Sequence, residues 1–316
     1  MSVRKSAVAK RRPIMVYRNG ITMAPTFDYG GAFARNIGWL TRDEQAILRG
    51  KRIAIAGMGG VGGAHLLTLA RLGVGGFNIA DLDTFDLVNF NRQAGAFVST
   101  LGQPKVDVLM RMARDINPEI DIRVFPQGVT PANIDDFLDG VDLYVDGLDF
   151  FVFSARAMTF AKCRERRIPA VTAAPLGMGS AVLSFMPDGM SFEDYFGFEG
   201  RSEDELALRF MIGLSPLMLH RNYLADPSAV DLDGRRGPST IMACELCAGL
   251  AATESLKILL GRGKLLAAPH GFHFDAYRNK LVRTWRPWGH RNPIQRVMLA
   301  IARRQLAAMR QASRHA

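Results

Sequence analysis

Arg52-Ile53-Ala54-Ile55-Ala56-Gly57-Met58-Gly59-Gly60-Val61-Gly62-Gly63 is the stretch that decides the fold. A short apolar run meets a glycine turn, and a helical pattern from Ala64 to Leu72 follows directly. Free backbone N–H groups and the helix dipole make such a junction an anion site. Glycine at 57, 59, 60 and 62 lets a phosphate approach the backbone closely. The next apolar run, Phe77-Asn78-Ile79-Ala80, ends at Asp81-Leu82-Asp83, where Asp81, with Asp83 beside it, can accept from ribose hydroxyls. Nicotinamide enzymes share all of this. They do not share what comes next: Asn89-Phe90-Asn91-Arg92-Gln93, then Lys105 after Gly102-Gln103-Pro104, then Asp142-Leu143-Tyr144-Val145-Asp146-Gly147-Leu148-Asp149.

Outward from this stretch, apolar runs and helical patterns alternate. Strands are predicted at 52–57, 76–81, 120–125, 142–146 and 169–174, and helices at 61–73, 104–116, 131–138 and 152–167. Such alternation implies a parallel sheet with helices on both faces and ligands outside the carboxyl ends of its strands. The fold class expected is α/β, a Rossmann-like parallel sheet continued by a smaller mixed-sheet C-terminal part. Residues 1–30 read as a basic arm, 33–50 as mostly helical, and 31–290 as the main domain. The segment 175–240 inside that domain reads as largely irregular apart from a strand at Ala181–Phe185. Cys244 to Leu260 reads as a helix, Phe272–Asp275 and Lys280–Trp285 as a hairpin, and 291–316 as a basic C-terminal helix.

No apolar run reaches the length of a membrane span, and the N-terminus lacks a signal-peptide pattern, so a cytoplasmic protein is expected. Three cysteines, Cys163, Cys244 and Cys247, offer no disulfide framework. The net charge of +10 sits at the ends: residues 1–18 hold six Lys and Arg, residues 283–316 hold eight Arg, and neither stretch has an acid. Basic ends attract polyanions such as RNA, and they equally serve as solvated tails.

The glycine turn, the Asp-x-Asp strand end, Asn-x-x-Arg-Gln, the helix lysine and the late aspartate all occur in order within residues 57–149. In this order the ensemble resembles the ThiF/MoeB family, ATP-dependent adenylating enzymes related to ubiquitin-activating enzymes. The resemblance runs from about Phe33 to Leu260. It implies that ATP and Mg2+ are bound, with Gly57, Gly59, Gly60, Gly62, Asp81, Asp83, Asn89 and Gln93 at the nucleotide. Arg92 and Lys105 would contact phosphates, and Asp149 would hold magnesium. Arginine suits phosphate because its planar fork donates in pairs. Phe33-Ala34-Arg35-Asn36-Ile37 is similar to a family segment whose arginine enters the partner's ATP site, which implies a homodimer with Arg35 in that role. Two departures concern the metal's surroundings: Phe150 stands where the family usually has Asn, and Arg156 comes later than usual.

Many relatives hold zinc with two CxxC pairs. Here only Cys244-x-x-Cys247 is present, and one pair cannot supply four thiolates, so no structural zinc is expected. Thioester-forming relatives carry a cysteine in the loop before the late helix, and residues 175–240 contain none. Adenylation without an enzyme thioester is expected, with Cys244 the one candidate at the loop's end. The partner implied is a small ubiquitin-like or sulfur-carrier protein, activated at its C-terminal glycine. The alternative is a dehydratase acting on threonylcarbamoyladenosine in tRNA, whose segment also reads Asn-x-Asn-Arg-Gln and which the basic ends would suit. An NAD-dependent oxidoreductase would leave Arg92, Gln93, Lys105 and Asp149 without a task.

Overall fold

The computed structural model describes residues 26–231 and 234–315, so most of the expected N-terminal arm lies outside the described residues. The chain begins with α1 (Tyr29–Ala32) and α2 (Arg42–Arg49), then alternates β1 (Arg52–Ala56), α3 (Gly60–Arg71), β2 (Gly76–Ala80), α4 (Lys105–Ile116), β3 (Asp121–Phe125), α5 (Ile134–Phe137), β4 (Leu143–Asp146), α6 (Phe153–Glu165) and β5 (Ala170–Leu176). After β6 (Gly179–Phe185) come α7 (Phe192–Phe196), α8 (Glu203–Leu214), α9 (Ile241–Leu260), β7 (His270–Asp275), β8 (Lys280–Trp285) and α10 (Pro293–His315). One eight-stranded sheet has the order β3-β2-β1-β4-β5-β6-β7-β8. The first five strands are parallel, and β6, β7 and β8 continue the sheet antiparallel.

Strand β1 is buried on both sides, as a central parallel strand should be. Ile53 and Ile55 join a core with α3, α4 and α9, whereas Ala54 and Ala56 face a second core built largely of phenylalanines. Phe160, Phe185, Phe192, Phe196, Phe198 and Phe210 fill that second layer beneath α6, α7 and α8. Ala56 stands level with Ala80 of β2 and Asp146 of β4, so the turns that follow these strands emerge side by side.

Three stretches differ from expectation. Residues 33–50 are not one helix: Gly38 has φ +113, and a 3-10 turn at Ala34–Asn36 precedes α2, which Thr41 and Glu44 start as a capping box. The helix expected over 131–138 is the single turn α5. The segment 175–240 is more ordered than its sequence suggests, since β6, α7 and α8 lie within it. Its five phenylalanines, Phe185, Phe192, Phe196, Phe198 and Phe210, come from several elements and pack together in one core, which leaves little linear periodicity to read. α10 packs along α8, with Arg303 paired to Glu205. Among the described residues no helix is long and apolar enough to cross a membrane.

His65 on α3 is fully buried, and neither ring nitrogen has a hydrogen-bond partner. Burial pushes its pKa from 6.5 down to about 4, the charge of Asp146 opposing this in part. The folded state therefore disfavours the proton that the unfolded chain accepts. This stability is fully present above pH 6.5 and is lost as the pH falls toward 4. The expected loss between pH 7 and pH 5 is about 2 kcal/mol. Urea unfolding at the two pH values should show His65→Leu losing that much less stability than wild type on acidification.

Candidate active site

The site is built on backbone contacts that only glycine allows. Gly57 ends β1 at φ +86, and a side-chain carbon there would stand 2.6 Å from the Gly147 carbonyl carbon and 2.8 Å from Leu148 N. One at Gly62 would collide with the Gly57 carbonyl, and one at Gly147 would lie 2.7 Å from both Gly57 O and Gly62 Cα. The turn after β1, the start of α3 and the end of β4 are thus packed main chain to main chain. In the sequence Gly147 is marked only by the Asp146-Gly147 step that closes an apolar run.

The residues after β2 gather on this turn. Asp81 is half-buried; its Oδ2 accepts from Met58 N at 2.5 Å and its Oδ1 from Asp83 N at 2.8 Å. Asp83 is exposed and pairs with the buried Lys105, whose Nζ lies 2.9 Å from Oδ2. Lys105 N also donates to Asp83 O, so strand end and helix start are linked twice. A side-chain carbon at Gly59 would have Gln93 Nε2 as its near neighbour at 3.7 Å, and one at Gly60 would meet Arg92 Cγ at 3.5 Å and Cys244 Sγ at 2.9 Å. Gln93 is buried with its Oε1 unpartnered. The Arg92 guanidinium donates to Val88 O and Asn91 Oδ1, and no described carboxylate pairs with it. Asn89 is buried, its Oδ1 accepting from Asp86 N, so its side chain shapes the turn that carries Arg92 and Gln93.

Asp149 follows Gly147 by two residues and is exposed, with Oδ1 accepting only a 3.2 Å bond from Phe151 N. Its loop is held from below. Arg156 and Asp146, both fully enclosed, pair at 2.8 Å, and Thr172 also donates to Asp146. The rest of the Arg156 guanidinium donates to the carbonyls of Leu148, Asp149, Phe150 and Val152. Phe150 packs on Phe210 at 5.2 Å, and Arg156 lies over that same ring at 4.5 Å. Asp146 lies inside the motif but was not among its expected site residues, and its pairing with Arg156 is a contact across ten residues that spacing does not reveal.

Arg35 stands apart. Its neighbour Asn36 donates to Leu72 O at the far end of α3, about 18 Å along the helix from the glycine turn. Arg35 is exposed and has no ion-pair partner among the described residues. Cys244 lies against the glycine turn but is buried, and burial raises its thiol pKa despite Ser239 and Arg92 nearby. Cys247 is enclosed and donates to Ser180 Oγ at 3.1 Å. Among the described residues no group of three or more His, Cys, Asp or Glu side chains could hold a metal ion. A single exposed carboxylate such as Asp149 nevertheless suits magnesium, which binds through one or two carboxylates, water and phosphate oxygens.

Residues 33–297 match the sequence pattern of the ThiF family, and the chain belongs to that family. Over 150 residues it is 35% identical to the tRNA threonylcarbamoyladenosine dehydratase of Bacillus subtilis (strain 168), covering 47% of this chain and 57% of that protein. Over 143 residues it is 32% identical to the molybdopterin-synthase adenylyltransferase of Escherichia coli (strain K12), covering 45% of this chain and 57% of that protein. The chain thus spans 57% of the length of each of these two relatives. A crystal structure of E. coli MccB with ATP shares the fold, with a TM-score of 0.60 at 17% identity over 80% of this chain and 69% of that one.

Arg156→Met strands a buried carboxylate and frees four carbonyls, so a loss of about 3–5 kcal/mol is expected. In the double variant Asp146→Asn/Arg156→Met the loss should be clearly smaller than the sum of the single losses. Urea midpoints with an unchanged slope are the measurement.

Proposed function

We propose that this protein activates a carboxylate with ATP: a carboxylate oxygen attacks the α-phosphorus, its bond to the bridging oxygen breaks, and pyrophosphate leaves an acyl-adenylate. The observation that carries this reading is the meeting of Arg92 and Gln93 with Gly59 and Gly60. The guanidinium fork beside a glycine-lined helix N-terminus suits the phosphates of a nucleoside triphosphate, and the unpartnered buried Gln93 amide oxygen can accept from a hydroxyl or amine of its nucleoside. A nicotinamide enzyme needs neither.

In this reading the turn at Gly57, Gly59, Gly60 and Gly62 cradles phosphates. Asp81 keeps lone pairs for ribose hydroxyls beyond those used by Met58 and Asp83, and Asn89 holds the shape of the phosphate-contacting turn. Arg92 and Lys105 offset charge on the triphosphate, with Asp83 orienting Lys105. Positioning and preformed charge provide most of the rate enhancement in such chemistry. Asp149 would hold Mg2+, which when bound supplies further charge neutralisation at the phosphates. The burial of Cys244 supports release or transfer of the adenylate without an enzyme thioester.

The acyl substrate we favour is the C-terminal glycine of a small ubiquitin-like or sulfur-carrier protein, in keeping with the adenylyltransferase relative. The second reading, dehydration of threonylcarbamoyladenosine in tRNA, is favoured by the B. subtilis relative. Radiolabelled pyrophosphate exchange into ATP tests the common chemistry and, run with each substrate class, separates the two. Asp149→Ala and Arg92→Ala should each lower exchange by about a hundredfold or more while thermal melting stays cooperative. Full exchange in either variant would refute the site assignment.

We further propose a homodimer in which Arg35 of one copy serves the site of the other, because it is exposed and distant from its own glycine turn. Arg35→Ala and Lys105→Ala proteins should both be poor enzymes. Mixed and allowed to exchange subunits, they should recover part of the activity, since one site of a heterodimer is then intact. A strictly monomeric protein by light scattering, or exchanged heterodimers without recovery, would contradict the shared site.

A further inference from the structure

The C-terminal hairpin presents a surface that the glycine-turn site does not use. Residues 262–316 contain twelve Lys and Arg and a single acid, Asp275, which is buried. In the hairpin register His270 faces Trp285, Phe272 faces Arg283 and Phe274 faces Leu281. Alternate strand residues share a face, so these six side chains lie together. The other face of β7, with Gly271, His273 and Asp275, is buried. Near the start of β7 the outer face opens into a cleft of about 590 Å3 lined by Lys264, His270, Arg283, Thr284 and Trp285. The His270 and Trp285 rings lie within 18° of parallel with centroids 6.2 Å apart, and Trp285 is 66% exposed. Neither Lys264 nor Arg283 has an ion-pair partner among the described residues.

We propose that this outer face of the β7–β8 hairpin binds single-stranded RNA. Unpaired bases would stack on Trp285 and His270, while Arg283 and Lys264 take the phosphates. Every base has a π-face, and a sheet surface carrying aromatics and cations is a physical match for unstacked nucleotides. A duplex keeps its base faces covered and cannot use rings set in a cleft. An anionic membrane would meet the cations but has nothing to stack. His270 adds a hydrogen-bonding group at the cleft, which suits a ribose 2′-hydroxyl. The proposal stands apart from the adenylation reading, since none of these residues approaches the glycine turn.

The test is fluorescence anisotropy of a labelled mixed-sequence 12-nucleotide RNA with the full chain, over a salt series. Trp285→Ala should weaken binding at least about fivefold through loss of a stacked base. Arg283→Ala should weaken it and flatten the salt dependence by about one phosphate contact. Both side chains are exposed, so melting and pyrophosphate exchange should match wild type, which keeps a failure here distinct from a failure of the adenylation reading. RNA binding unchanged in both variants would overturn the proposal by assigning that binding to the basic termini. Tighter binding of the equivalent DNA would overturn it, as would Trp285-dependent binding to vesicles of phosphatidylcholine with 20% phosphatidylserine and none to RNA.

Discussion

Gly57, Gly62 and Gly147 bring three segments of main chain closer together than any side chain would permit. A carbon at Gly62 would overlap the Gly57 carbonyl, and one at Gly57 would press on the Gly147–Leu148 peptide. This contact sets the distance between the end of β1, the start of α3 and the end of β4. Three parts of the candidate site hang from those points: helix N–H groups from α3, Asp81 through the Met58 N–H, and Asp149 two residues beyond Gly147. The level register of Ala56, Ala80 and Asp146 makes the contact possible by ending the strands together.

Glycine contacts set position but leave the loop at Asp149 without side-chain support, and a buried ion pair provides it. Arg156 uses one nitrogen for Asp146 and the others for the loop carbonyls of Leu148, Asp149, Phe150 and Val152, an arrangement that satisfies the whole guanidinium fork. Removing two charges from water costs several kcal/mol per ion, and such a pair is tolerable only when every remaining hydrogen-bonding group is satisfied. Phe150 strengthens the same loop from the apolar side by joining Phe210 and Phe153. Its place next to Asp149 departs from the family pattern, and the structure gives it a packing role.

The charge of the protein is divided along the same lines as its architecture. The α/β part that carries the glycine turn is close to neutral or acidic, and most of its cations pair with acids, as Arg156 does with Asp146. Lys105 is held by Asp83 beside the turn, and Arg92 has no described carboxylate partner. The C-terminal hairpin and α10 carry cations with hardly an acid among them, and only some are neutralised, as Arg303 is by Glu205. The proposed nucleotide site and the proposed RNA face would each need cations of this kind.

By itself the sequence determined the order of strands and helices from 52 to 174, the turn at Gly57–Gly63, and the candidates Asp81, Arg92, Gln93, Lys105 and Asp149. Those features are local: periodicity, turn glycines and short spacings are written in consecutive residues. The tertiary structure alone decided the rest. That Arg92 and Gln93 meet Gly59 and Gly60, that Lys105 is held by Asp83, and that Arg35 lies a helix length from its own turn depend on strand order and register, which no window of sequence contains. The same holds for Arg156 beneath Asp149 and for the order within 175–240. There Phe192 and Phe196 keep a helical spacing over a single short helix only, and Phe185, Phe198 and Phe210 lie outside that helix. All answer to a shared core, and a core is a property of chain segments brought together from far apart.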